Sequence, residues 1–167
     1  VDLNWQLATS GDFNGDGEGD LLWRNSVSGV NYIYYLNQGS IVSGRELNQV
    51  PDNQWQVQLS ADFNGDGNDD ILWRHATTGA NTIYLMDGEG PFFLQDVPNR
   101  SSDWIVAGAG DLNNDGSADI LWRNTQTGQN SISWLGVGSA VQASTLNTVA
   151  DQNWQVAGVA DFDGDGT

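Results

Sequence analysis

Apolar residues along this chain fall in short runs, separated by polar, glycine-bearing stretches at intervals of about ten residues. In the first fifty residues the runs are "WQLATSG", "LLWRN", "NYIYYL" and "SIVSGREL". They are rich in β-branched and aromatic side chains, and no segment sustains the 3.6-residue period of an amphipathic helix. The pattern predicts four antiparallel strands near residues 4–12, 20–25, 30–36 and 40–47, with an acidic loop joining the first two.

The pattern then recurs. "DFNGDGEGD" at residue 12 returns as "DFNGDGNDD" at 62, "DLNNDGSAD" at 111 and "DFDGDGT" at 161, in steps of 50, 49 and 50 residues. Trp5, Trp55, Trp104 and Trp154 precede the four loops, and "LLWRN", "ILWRH" and "ILWRN" follow the first three. "SG", "TG" and "TG" turns come next, then "NYIYYL", "NTIYLM" and "NSISWL". The units are residues 1–49, 50–98 and 99–148, with 149–167 forming the opening third of a fourth. A four-stranded meander repeated at this period is the signature of a β-propeller blade, whereas β-solenoid coils are shorter and turn without hairpins. The expected fold is therefore all-β, a propeller-type array that is incomplete over this length. First strands such as "LATSG" and "VAGAG" carry small residues, as inner strands crowded round an axis require, and the Trp residues are expected to fill the wider space between blades.

These motifs resemble the FG-GAP or VCBS-type repeat: Asp-x-Asn-x-Asp-Gly-x-x-Asp, followed by "ILWRN" and "TG". The resemblance covers nearly the whole chain. Repeats of this kind build the propellers of integrin alpha subunits, fungal lectins and many bacterial secreted proteins. It implies a calcium-binding propeller of extracellular or cell-surface type, and does not single out one ligand, because a shared fold hosts many functions.

Clustered carboxylates repel one another, and a hard cation is the simplest reason to keep them together. In the first loop Asp12, Asn14 and Asp16 supply side-chain oxygens at positions 1, 3 and 5, Glu18 a carbonyl at 7, and Asp20 a carboxylate at 9. Gly17, at position 6, suits a backbone with positive φ. The second loop offers Asp62, Asn64, Asp66, the Asn68 carbonyl and Asp70; the third offers Asp111, Asn113, Asp115, the Ser117 carbonyl and Asp119. A fourth begins with Asp161, Asp163 and Asp165 and has no ninth position. An EF-hand is excluded, since position 12 holds Trp23, Trp73 or Trp122 in place of a bidentate Glu and no helices flank the loops. Calcium suits these oxygens better than magnesium, which keeps its waters. Turn formation alone explains the Asn and Gly but not a repeated acid at position 9.

Charge narrows the partners. Twenty-two acidic residues face five arginines and no lysine, for a net charge of −17, so nucleic acids and anionic membranes are repelled. The candidate sites take side-chain carboxylates from 12 of the 22 acids, and no apolar run approaches a membrane span. Arg24, Arg74 and Arg123 recur after Trp and are read as satisfying a neighbouring acidic loop or blade-end carbonyls while their stems pack on Trp. His75 has no recurring partner and reads as a hydrogen-bonding residue, and Asn99 heads an "NRS" sequon. The remaining carboxylates show no pairing that would mark a catalytic site. The expectation is a non-catalytic module that binds a glycan or a protein; the alternative is a structural element of a stalk, matrix or filament, joined through open blade edges to more repeats or to other copies.

Overall fold

The computed structural model describes residues 2–136 and 141–162. All its regular structure is β. Blade 1 comprises β1 (Trp5–Gly11), β2 (Asp20–Asn25), β3 (Asn31–Asn37) and β4 (Ser40–Leu47). Blade 2 comprises β5 (Trp55–Ala61), β6 (Asp70–His75), β7 (Asn81–Met86) and β8 (Pro91–Val97). Blade 3 comprises β9 (Trp104–Gly110), β10 (Asp119–Asn124), β11 (Asn130–Trp134) and β12 (Gln142–Thr145). Each is an antiparallel meander in chain order, as the hydrophobic pattern predicts. The inner strands β1, β5 and β9 are neighbours, and Thr9 Oγ1 lies 3.3 Å from Ser60 Oγ. Each inner strand also carries a register shift at the same place, between Leu7 and Thr9, between Val57 and Leu59, and opposite Leu121 and Trp122. Such bulges increase local twist.

Period-2 alternation sends each strand's side chains to two different neighbours. Ile71 and Trp73 of β6 join Phe13, Leu22, Ile33, Tyr35 and Leu47 in the core between blades 1 and 2. Leu72, between them in sequence, joins Ile120, Trp122 and Leu135 in the core between blades 2 and 3. A middle blade buried on both faces therefore reads as a nearly unbroken apolar run, "ILW".

The recurring arginine closes each junction. Arg74 Nη1 donates to the Gly79 carbonyl (3.1 Å) and Asn81 Oδ1 (2.8 Å), and Nη2 to the carbonyls of Arg100, Ser101 and Trp104 at 2.9–3.0 Å. Arg24 makes the matching bonds to Gly29, Asn31 and Val50, and Arg123 to Gly128, Asn130, Val149 and Trp154. The guanidinium of Arg24 also lies 5.0 Å over the Trp73 ring, and that of Arg74 5.5 Å over Trp122, each reaching the next blade. The glycine of each "TG" or "SG" turn is required here: Gly29, Gly79 and Gly128 have φ near +70°, and an added Cβ would strike the carbonyl of the linker crossing above. Of the two roles open to the arginines, the carbonyls and the Trp faces are the ones they fill.

The opening third of the fourth repeat departs from expectation. Its described residues, up to 162, form no strand. Trp154 still accepts from Arg123, and Val159 packs on Gly108 and Gly110 of β9, so the segment follows an inner-strand path without a ladder. Among the described residues no second strand stands beside it to supply pairing bonds.

Arg74→Lys keeps the charge but cannot make this forked set of bonds. It is expected to destabilise the fold by roughly 2–4 kcal/mol, through carbonyls left unpaired, whereas Arg45→Lys on the exposed outer strand β4 should change stability by less than about 0.5 kcal/mol. Urea unfolding measures both, and equal effects would contradict the junction role.

Candidate metal centres

The three complete loops join β1 to β2, β5 to β6 and β9 to β10, and they share one geometry. The Asp16 N–H is held by Asp12 Oδ1 and Asn14 Oδ1, both at 3.1 Å. The same pair of oxygens converges on Asp66 N–H from Asp62 and Asn64, at 3.1 and 3.0 Å, and on Asp115 N–H from Asp111 and Asn113, at 3.2 and 2.9 Å. The second oxygen of the position-1 carboxylate accepts from the position-6 glycine: Gly17 at 2.7 Å, Gly67 at 2.8 Å and Gly116 at 2.9 Å. Positions 3 and 5 are tied by an amide-to-carboxylate bond, Asn14 to Asp16, Asn64 to Asp66 and Asn113 to Asp115, at 2.8–3.1 Å. Position-5 Oδ1 in turn accepts from the N–H of Glu18, Asn68 or Ser117.

The ninth position is placed differently. Asp20, Asp70 and Asp119 are fully buried. One oxygen of each accepts from the loop, through Phe13, Phe63 or Leu112 N–H at 2.9–3.1 Å. The other accepts from the end of the third strand, through Leu36, Met86 or Leu135 N–H at 2.8–2.9 Å. This carboxylate thus ties its loop to its blade. Burial raises all three above the ordinary carboxylate range, against the two backbone bonds, and the charges at positions 5 and 1 add to the rise. Asp70, in the middle blade, is pushed up to about 7.

Successive loops also touch. Asp69 N–H donates to the Asp12 carbonyl at 2.6 Å, and Ala118 N–H to the Asp62 carbonyl at 2.8 Å. Asp69 carries a further role: its Oδ2 accepts from Asp12 N–H at 3.1 Å, and a Cβ on Gly11 would strike that oxygen. The doubled acid of "NDD", where the other loops have "EGD" and "SAD", was its only mark in the sequence. Asp161 is among the described residues; Asp163 and Asp165 lie outside them.

Among the described residues, no arginine or histidine pairs with a carboxylate of the three complete loops. His75 and Asp52 approach each other to 3.2 Å away from the loops, and Arg24, Arg74 and Arg123 lie at the junctions. Nor does any group of three or more His, Asp or Glu side chains among the described residues close into a metal-holding cluster, because position 9 faces its third strand while 1 and 5 grip the loop backbone. The donor chemistry nevertheless fits a hard cation: every candidate ligand is an oxygen, and Asp20, Asp70 and Asp119, with one hydrogen bond to each oxygen, retain lone pairs.

A model of the FG-GAP-like repeat matches residues 12–73 and 62–122, each match running from one acidic loop to the Trp of the strand after the next loop. Together they cover about two thirds of the chain, which belongs to the FG-GAP-like repeat family. The family is one of non-enzymatic repeat modules, common in extracellular and surface proteins. No curated protein matched the chain. No helix among the described residues is long and apolar enough to cross a membrane.

The raised carboxyls carry a pH signature. An unfolded Asp loses its proton near 3.8 and Asp70 in the fold near 7, so between these values the folded state holds the additional proton. The contribution of this group to metal-free stability therefore declines as pH rises across that window and levels off above it. The melting temperature of metal-free protein should fall between pH 5 and 7.5 (about 1–4 units above the ordinary Asp value), less steeply in Asp70→Asn. A decline as steep in Asp70→Asn as in the parent chain would contradict the assignment.

Proposed function

We propose that this chain is a calcium-binding repeat module of an extracellular or surface protein, whose metal-stiffened blades present their surfaces to a protein or carbohydrate partner. One observation carries the reading: each blade buries a carboxylate, Asp20, Asp70 or Asp119, beside a collar of acidic and amide oxygens, and among the described residues no arginine or histidine forms an ion pair with them. Family membership agrees with it.

Asp12, Asn14, Asp16, the Glu18 carbonyl and Asp20 would hold the ion in blade 1. Asp62, Asn64, Asp66, the Asn68 carbonyl and Asp70 would do so in blade 2, and Asp111, Asn113, Asp115, the Ser117 carbonyl and Asp119 in blade 3. A bound ion supplies the positive charge that the buried acids lack. Around it the chain's own bonds do the mechanical work: the position-9 carboxylate links loop to third strand, and the loop-to-loop N–H bonds carry the constraint to the next blade. The outer surfaces are thereby held in fixed register for a partner, and no step of chemical catalysis is assigned to any residue.

Extracellular calcium modules bind with dissociation constants of about 0.1–1 mM. At roughly ten times that concentration each independent site stabilises the fold by about 1.4 kcal/mol. Calorimetry at neutral pH should therefore show three sites and a melting temperature that rises with calcium. Asp66→Ala should weaken the blade 2 site by at least about tenfold and leave the others within a few-fold. No heat at millimolar calcium and an unchanged melting curve in chelator would overturn the reading.

A further inference from the structure

Each second strand ends on a side chain that caps the turn after it. Asn25 Oδ1 accepts from Val27 and Ser28 N–H at 3.0 and 2.9 Å, and Asn124 Oδ1 from Gln126 and Thr127 N–H, both at 2.9 Å. In blade 2 the place is taken by His75, the chain's single histidine, whose Nδ1 accepts from Thr77 and Thr78 N–H at 3.3 and 3.2 Å. The other end of the group meets an acid. Asn25 Nδ2 donates to Asp2 Oδ2 at 3.1 Å, and His75 Nε2 lies 3.2 Å from Asp52 Oδ2. The imidazole therefore stands in for an amide, with Nδ1 in the role of Oδ1 and Nε2 in that of Nδ2.

The replacement holds in one protonation state only. An amide accepts and donates at every pH, whereas an imidazole does both only when neutral. Here the tautomer is fixed: two N–H groups aimed at Nδ1 need its lone pair, so the proton sits on Nε2 and is donated to Asp52. A second proton can go only to Nδ1, where it removes the acceptor of both turn bonds. On the far side nothing is lost, because Asp52 keeps the ring as an ion pair, and Gln54 N–H at 2.9 Å holds that carboxyl below the ordinary carboxylate range. The ring's other neighbours are Trp55 of β5, edge-on at 5.3 Å, and the turn residues Ala76, Thr77, Thr78 and Gly79, none of them ionisable. Arg74, next in the chain, has its guanidinium on the carbonyls of the junction.

The turn holds more than itself. Gly79 N–H donates to the His75 carbonyl at 2.9 Å, and the Gly79 carbonyl accepts from Arg74 Nη1 at 3.1 Å and from Arg100 N–H at 3.0 Å. The Gly29 and Gly128 carbonyls accept in the same way from Val50 and Val149 N–H, so Val50, Arg100 and Val149 are equivalent linker residues. The turn capped by His75 thus seats both the junction arginine and the linker that leads into blade 3.

We propose that the turn 75–79 is an acid-sensitive clamp on the junction between blades 2 and 3. Protonation of His75 Nδ1 releases Thr77 and Thr78, leaves the ring on Asp52, and loosens the hold of the Gly79 carbonyl on the linker. The Asn-capped turns of blades 1 and 3 keep their bonds. The device needs no metal and goes beyond the binding role proposed above.

Amide exchange followed by NMR on the whole chain, in calcium-containing buffer, tests it. Proton–nitrogen correlation spectra of the imidazole should show Nδ1 bare and Nε2 protonated at about pH 7.5, and should follow the uptake of the second proton. As His75 charges between about pH 7.5 and 5, protection of the Thr77, Thr78 and Arg100 amides should fall at least about fivefold, while that of Val27, Ser28, Gln126 and Thr127 stays within about twofold. Asp70 titrates over the same range at the other end of β6, and His75→Asn leaves it in place. This variant gives blade 2 the capping side chain of the other two blades and should keep its turn protected throughout. Asp52→Asn should move the loss to lower pH, because it removes the charge that favours the imidazolium. Turn amides that stay protected once His75 is charged, an equal loss in His75→Asn, or a ring that remains neutral down to about pH 5 would overturn the proposal.

Discussion

A carboxylate taken out of water needs compensating charge or a full set of donors, and this fold buries one per blade. Asp20, Asp70 and Asp119 each receive two backbone N–H groups. Two neutral donors do not replace a hydration shell, and the acids at positions 1 and 5 push the same way as burial does. Either a proton or a cation resolves the conflict. Because this one side chain spans the loop and the end of the third strand, its charge state bears on the whole blade, and the bonds between successive loops extend the effect to the next.

Charge is sorted along each second strand. β6 begins at Asp70 and ends at His75, so the acidic loop and Arg74 occupy opposite ends of a six-residue strand. At one end carboxylates collect without cations; at the other a guanidinium satisfies carbonyls from two blades and stacks on the next Trp. Each blade thus contacts its neighbours through two devices of opposite sign, with an apolar core between them. Stability in such an array is close to a sum of blade and junction contributions, and a change at one junction is felt chiefly by the two blades that share it.

Much of this is legible in the sequence because it repeats. Three copies of "LWR" and "TG" at constant spacing identify the blades, and alternation within "ILWRN" separates its two faces. The position-9 acids are conspicuous too, but their direction is not: whether Asp70 points into its loop or toward Met86 depends on where β7 ends, a tertiary fact. The equivalence of Arg100 and Val50 is hidden for a different reason. The linker before Trp104 is one residue shorter than that before Trp55, so counting from Trp pairs Arg100 with Pro51, and only the bonds to Gly79 and Gly29 restore the match. Asp69 is hidden because it acts on a different blade, through Asp12, 57 residues away.

The central claim is that the buried acids and oxygen collars are cation sites. Anomalous diffraction from crystals grown with calcium tests it directly. The account predicts one peak in each of the three complete loops, with oxygens of positions 1, 3, 5, 7 and 9 at about 2.3–2.6 Å. Loops that keep their internal hydrogen bonds, with no anomalous peak beside Asp20, Asp70 or Asp119 at millimolar calcium, would contradict it.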